Sequence, residues 1–116
     1  MLDKASRIAR NKLFTLGRVR RYEQGATALK KGEAQRAAMF LLSGEIAPAS
    51  CTSPLFLIEL LENEAMTENV KTTLPTEILL VPREKFLELM RSNAEIACLV
   101  IDELLKHHRE NFLLKQ

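Results

Sequence analysis

The chain has 116 residues, of which 47% are hydrophobic and 28% charged, with a net charge of +2; that is the balance of one globular domain able to bury its own core. No apolar run approaches the roughly 20 residues of a membrane span, no long apolar stretch follows the first residues as in a secretory leader, and Cys51 and Cys98 belong to no metal-spaced motif, so a cytoplasmic protein with reduced thiols and no membrane association is expected. The charge is uneven: residues 1–36 hold ten Lys/Arg against three Asp/Glu (+7), and residues 37–116 hold seven against twelve (−5).

Residues 3–14 read as a helix, with Leu2, Ile8, Leu13 and Phe14 as its apolar positions and Gly17 as its terminator. Short strands follow at Val19–Glu23, Ala26–Lys30 and Ala38–Leu42, then a Ser43-Gly44-Glu45 turn and a strand around Ile46. Two prolines make residues 47–54 a loop. Leu55 to Glu62 is apolar and unbroken, and its length fits either a short helix or a strand. Val70–Thr73 reads as a strand, and Ile78-Leu79-Leu80-Val81 as the clearest buried strand of the chain. Pro82 suits a first helical residue, with helix continuing from Arg83 to Met90 and placing Phe86, Leu89 and Met90 on one face. Ser92-Asn93-Ala94-Glu95 has capping-box form, with Ser92 as cap and Glu95 reaching back. A long helix then runs to about Leu113, with a stripe of Ile96, Ala97, Val100, Ile101, Leu104 and Leu105. A stripe that broad suggests two packing partners, the domain itself and a second subunit. Runs of strands flanked by helices predict an α+β fold: a small antiparallel β-roll with an N-terminal helix and two C-terminal helices.

Gly25 and Gly32 are seven residues apart, and Gly32 and Gly44 twelve. With the words around them, Gly25, Gly32-Glu33 and Phe40-Leu41-Leu42-Ser43-Gly44-Glu45-Ile46, they resemble the first half of a cyclic-nucleotide-binding domain, as in catabolite-activator-type regulators and kinase regulatory subunits. Leu61-Glu62-Asn63-Glu64, Thr76 to Phe86, and Asn93-Ala94-Glu95 resemble segments of its second half, so the likeness spans about residues 14–110. The resemblance implies one domain over residues 1–116: an N-terminal helix (1–16), a jelly-roll-like β-roll (18–81) holding a phosphate-cassette-like segment (55–68), and C-terminal helices (82–113). It also implies a regulatory mechanism in which ligand moves the C-terminal helix against the roll.

The chain departs from that pattern where the family holds its ligand. The family's cassette opens Phe-Gly-Glu and ends Pro-Arg-Ser/Thr-Ala; its Glu holds the ribose, and its Arg and backbone amides hold the cyclic phosphate. Counting back from Val70, the Arg position is Met66 and the Pro position Ala65, and Leu55, Phe56 and Leu57 stand for Phe-Gly-Glu. Glu59 replaces that Glu only if the segment is shortened. Without its charge partner a buried phosphate is costly. The 47–54 loop stands where the family has a long hairpin, so the roll is expected to be about one hairpin short. The family's regulators carry a helix-turn-helix domain after the long helix; with the sequence ending at Gln116, no such DNA reader is expected in this chain.

The degenerate pocket is therefore Leu55, Phe56, Leu57, Glu59, Leu60, Leu61, Met66 and Thr67, either filling the old cavity or forming a pocket for an apolar ligand or a partner's side chain. Ile96, Val100, Ile101, Leu104 and Leu105 are the expected helix interface, for a homodimer or another protein. Arg18, Arg20 and Arg21 head a basic patch that pairs with the acidic half of the molecule or meets nucleic acid or an anionic surface; with 5% aromatics and no Trp, a base-stacking surface is disfavoured. His107 and His108 are neighbours on different helix faces and a poor metal pair. Ser43 and Ser53 lack a nucleophile-elbow context, Lys30-Lys31-Gly32 is no phosphate loop, and Glu59, Glu62 and Glu64 read as a solvated helix face. The expectation is a non-enzymatic regulatory or interaction module, with no catalytic residues, metal or cofactor, and poor cyclic-nucleotide binding. The alternatives are a small-ligand sensor, for a cyclic nucleotide or another ligand, and a nucleic-acid or anionic-surface binder acting through the basic N-terminus.

Overall fold

The computed structural model describes residues 1–114, with side chains described through Glu110. After a 3-10 turn at Leu2–Lys4 come α1 (Arg7–Leu16), β1 (Arg18–Tyr22), β2 (Thr27–Leu29), β3 (Ala37–Ser43), β4 (Ile46–Ala47), α2 (Leu57–Glu62), β5 (Val70–Thr72), β6 (Thr76–Pro82), α3 (Arg83–Ser92) and α4 (Ala94–Leu114). The strands form two antiparallel three-stranded sheets, ordered β1-β6-β3 and β2-β5-β4. The fold is α+β, a β-roll flanked by helices, as the sequence predicts.

The central strand β6 explains the layering. Successive side chains of a strand point to opposite faces. Leu79 and Val81 join Ala38 and Phe40 of β3 in a core completed by Leu13, Leu57, Leu60, Phe86, Ile96 and Val100 from the helices. Ile78 points the other way, with Leu80 packed beside it, into the roll, among Tyr22, Met39, Ile46, Leu55, Met66 and Val70. A strand buried on both faces reads as a continuous apolar run, which is why Ile78–Val81 stands out in the sequence. Phe40 and Phe86 meet edge to face, with centroids 6.0 Å apart.

Two glycines are fixed by space. Gly17 does end α1, but in extended rather than left-handed backbone; a Cβ there would lie 2.6 Å from the Leu80 carbonyl oxygen, so the absent side chain lets α1 close onto β6. Gly44 has φ +93°, and a Cβ would lie 2.6 Å from the Pro75 carbonyl oxygen, so this turn needs glycine on both counts.

Four local expectations change. The N-terminal helix is broken: Ser6 separates the 3-10 turn from α1 and caps α1, accepting from the Ala9 N–H at 3.2 Å. Ile8 (70% exposed) and Phe14 (40% exposed) lie on the outer side of α1, which packs instead through Ala9 and Leu13. Pro82 is the last residue of β6, where its missing N–H leaves no ladder bond unmade, and α3 starts at Arg83. Ser92 is the last residue of α3; α4 is capped by Asn93, whose Oδ1 accepts from the Ile96 N–H at 3.0 Å.

Glu95, freed from the expected capping box, holds Ser6 instead, accepting its N–H and its hydroxyl at 2.6 Å each. These bonds, the hydroxyl's first, hold the Glu95 carboxyl below its ordinary pKa. A carboxylate with a depressed folded-state pKa stabilises fully above the ordinary glutamate range, and its contribution is lost as pH falls through the depressed value. Thermal melts of the wild type and Glu95→Gln should therefore differ at pH 7 and converge towards pH 3; parallel curves would remove the assignment. Ser6→Ala, which also removes the α1 cap, should cost about 1 kcal/mol.

Candidate functional site

The segment that the sequence likeness matches to a ligand cassette begins at a strained residue. Phe56 has φ 52° and ψ 52°. Left-handed backbone costs a side-chain-bearing residue roughly 1–2 kcal/mol, so its surroundings must hold it. The Phe56 N–H donates to Ser50 Oγ at 2.8 Å, and its carbonyl accepts from Gln35 Nε2 at 3.0 Å. The next amide, Leu57 N–H, donates to Thr52 Oγ1 at 3.1 Å, and that hydroxyl donates to the Pro54 carbonyl at 2.9 Å. The first N–H groups of a helix have no partner within it. Here two backbone amides at the head of α2 are engaged by hydroxyls of the 50–52 loop.

The far end of α2 is tied as firmly. Asn63 terminates it in left-handed backbone. Arg83, the first residue of α3, donates from Nε to the Leu60 carbonyl (2.9 Å) and from Nη2 to the Leu61 carbonyl (3.2 Å). Of the carboxylates nearby, Glu64 is pushed above its ordinary pKa by a hydrogen bond and charge repulsion from Glu62.

The eight expected pocket residues do not converge on one cavity. Leu55 and Met66 are buried in the roll, with Phe56 packed against them. Leu57 and Leu60 are buried in the helix-side core, with Leu61 beside them. Glu59 is half-buried, and Thr67 is exposed. Met66 is also held by its backbone, donating to the Glu33 carbonyl (3.0 Å) and accepting from the Gly32 N–H (2.8 Å).

On α4 the expected interface set divides. Ile96 and Val100 are core residues and Leu104 is half-buried, so Ile101 (52% exposed) and Leu105 (55% exposed) are the members left facing outward. The side chains of residues 111–113, at the end of the expected long helix, lie outside the described ones. Further along, Glu103 accepts the Met1 α-amino group on Oε1 (3.1 Å) and the Ser53 N–H on Oε2 (3.3 Å). The Cys51 thiol lies 3.1 Å from His107 Nδ1, and burial, reinforced by Glu110, raises its pKa. A cleft of about 700 Å³ runs between α4, residues 50–55 and the N-terminal turn, lined in part by Leu41, Leu55, Leu99, Lys106 and Arg109.

Arg18, Arg20 and Arg21 are exposed on β1; Arg20 stacks on Tyr22, 4.8 Å from the ring centroid, and Arg21 faces Glu77 at 3.6 Å. Among the described residues no group of three or more His, Cys, Asp or Glu is placed to hold a metal ion, and no helix is long and apolar enough to cross a membrane. Sequence reasoning missed Ser50, Thr52, Gln35 and Arg83. Ser50 and Thr52 lie seven and five residues ahead of Leu57, away from the N-cap position that Phe56 holds, so cap composition does not mark them.

Several solved structures share this architecture. The catabolite activator protein of Thermus thermophilus superposes with a TM-score of 0.78 at 18% identity, over 95% of this chain and 58% of that one. A cyclic-nucleotide-binding domain from Methylobacillus flagellatus gives 0.74 at 13%, over 93% and 68%. The sensor domain of the transcriptional regulator DNR from Pseudomonas aeruginosa gives 0.67 at 14%, over 92% and 79%. No protein-family model and no curated protein matches the chain. At these identities the likeness establishes the fold, that of a cyclic-nucleotide-binding domain; the chain spans little more than half of the Thermus thermophilus protein.

Arg83 is the most informative single residue to remove. Arg83→Met keeps much of the stem and deletes both bonds to α2, so a loss of about 2–3 kcal/mol is expected in urea unfolding. Amide exchange should quicken in α2 before it does in β6.

Proposed function

We propose that this chain is a non-enzymatic regulatory domain on a cyclic-nucleotide-binding scaffold, that it binds cyclic nucleotides poorly, and that it acts through the outer face of α4. The observation that carries the reading is the engagement of the Phe56 and Leu57 amides by Ser50 and Thr52. A cyclic phosphate seated there would have to displace two hydrogen bonds and find charge at positions held by Leu57 and Met66, both buried and apolar. Leaving a buried anion uncompensated is unfavourable by several kcal/mol. The clamps on α4 at Glu95, Glu103 and His107 support a helix held in one position against the roll. Ile101 and Leu105 then offer a standing surface for a second copy or another protein.

A second reading, a small-ligand sensor, has the cleft beside α4 in its favour. Its volume lies in the range of ligand sites, and Lys106 and Arg109 on its wall suit an anionic ligand.

Isothermal titration with cyclic AMP and cyclic GMP should give no saturable heat at micromolar concentrations. Micromolar binding in the wild type overturns the first reading, and loss of that binding in Lys106→Glu/Arg109→Glu would favour the second. Light scattering tests the surface: Ile101→Glu/Leu105→Glu should lower the mass if wild type is a dimer. Val100→Glu is the wrong probe, because Val100 is in the core. Monomer mass for wild type at about 100 μM would remove self-association with a Kd tighter than about that value.

A further inference from the structure

A second surface lies away from α2 and α4. A groove of about 400 Å³ is lined by Leu16, Gly17, Arg18, Arg36, Leu80 and Pro82, with Ala37 at its edge. The strand register explains its shape. Arg18 of β1 lies opposite Leu80, and Ala37 of β3 lies opposite Pro82. The floor is therefore the apolar end of β6, with Arg18 of β1 and Arg36, the residue before β3, rising on either side. Two strand spacings put those rims about 10 Å apart. Both arginines are exposed, and neither forms an ion pair among the described residues.

The groove opens along an unpaired edge. Within its sheet β1 pairs only with β6, and Arg18 through Arg21 are all exposed, Val19 included at 45%. An edge strand carrying arginines is protected against pairing with a second copy of itself, since like charges would then face each other. The same charges favour an extended segment of opposite sign. We propose that β1 and the Arg18–Arg36 groove form a docking site for an extended acidic segment of a partner protein. The segment lies across the end of β6 in the groove, its carboxylates meet Arg18 and Arg36 on the two rims, and an apolar side chain rests on Leu80 and Pro82. The +7 charge of residues 1–36 draws such a segment to this end of the molecule. The proposal is independent of the α4 reading, because the two surfaces share no residue.

The probe is a fluorescein-labelled peptide alternating glutamate and valine, titrated by anisotropy into the full chain at low salt. Binding should weaken with added salt, and a lysine–valine peptide should not bind. Arg18→Glu/Arg36→Glu should weaken binding by about tenfold or more, whereas Arg7→Glu/Lys12→Glu on α1, with the same charge change, should weaken it by about threefold or less. Arg18→Gln/Arg36→Gln, checked for an unchanged melting temperature, should fall between these. Amide shifts on binding should centre on the start of β1 and the end of β6. Equal loss in the groove and α1 variants would reduce the effect to net charge and overturn the proposal. So would no binding at about 1 mM peptide, or tighter binding of an oligothymidine than of the peptide.

Discussion

Everything in this molecule leans on the two-sided burial of β6. Its odd-numbered residues Leu79 and Val81 hold the helices, and Ile78 holds the roll. Neither core closes without it, because β1 and β3 meet only through it. The tightness of that arrangement is visible at Gly17, where α1 turns against the Leu80 carbonyl with no room for a methyl group. A change of one methylene at such a site is felt in both layers, since interiors are packed like crystals.

Hydrogen bonds between elements turn this stack into one connected body. Arg83 joins the end of α2 to the start of α3. Asn93 lets α4 begin immediately after α3. Glu95 ties α4 to α1, and Glu103 ties it to the N-terminal turn and to the loop ahead of α2. A path of backbone-directed side-chain contacts thus connects the head of α2, its tail and the long helix. That connection places the 50–62 segment and α4 under a shared constraint.

The sequence made the architecture legible where one physical signal dominated. The doubly buried strand, the turn at Gly44 and the stripes of α3 and α4 are all written in local pattern. The likeness to a nucleotide-binding scaffold was also readable, although no relative's identity exceeds 18% among those compared above. Where several local solutions competed, the pattern misled. Ser92 and Asn93 both cap helices well, and only the turn between α3 and α4 decides between them. Glu95 suits a capping box, but tertiary contact brings Ser6, 89 residues away, within 2.6 Å. The stripe on α4 showed which residues are apolar, not which of them the domain covers. At the site, Phe56 was visible as a bulky apolar residue, but not that its backbone takes a left-handed turn. That depends on Ser50, Thr52 and Gln35 closing around it, which no periodicity encodes.

The hydroxyls of Ser50 and Thr52 are attached to the groups they engage through a handful of peptide bonds. A tethered group acts at an effective concentration of millimolar or more for a short flexible connection, and it is never diluted. Any free anion seeking the same amides competes with an occupant whose supply does not vary with metabolism. On the reading proposed above, a receptor furnished with its own resident occupant exchanges a concentration-dependent signal for a constant one; what remains adjustable is what touches its outside.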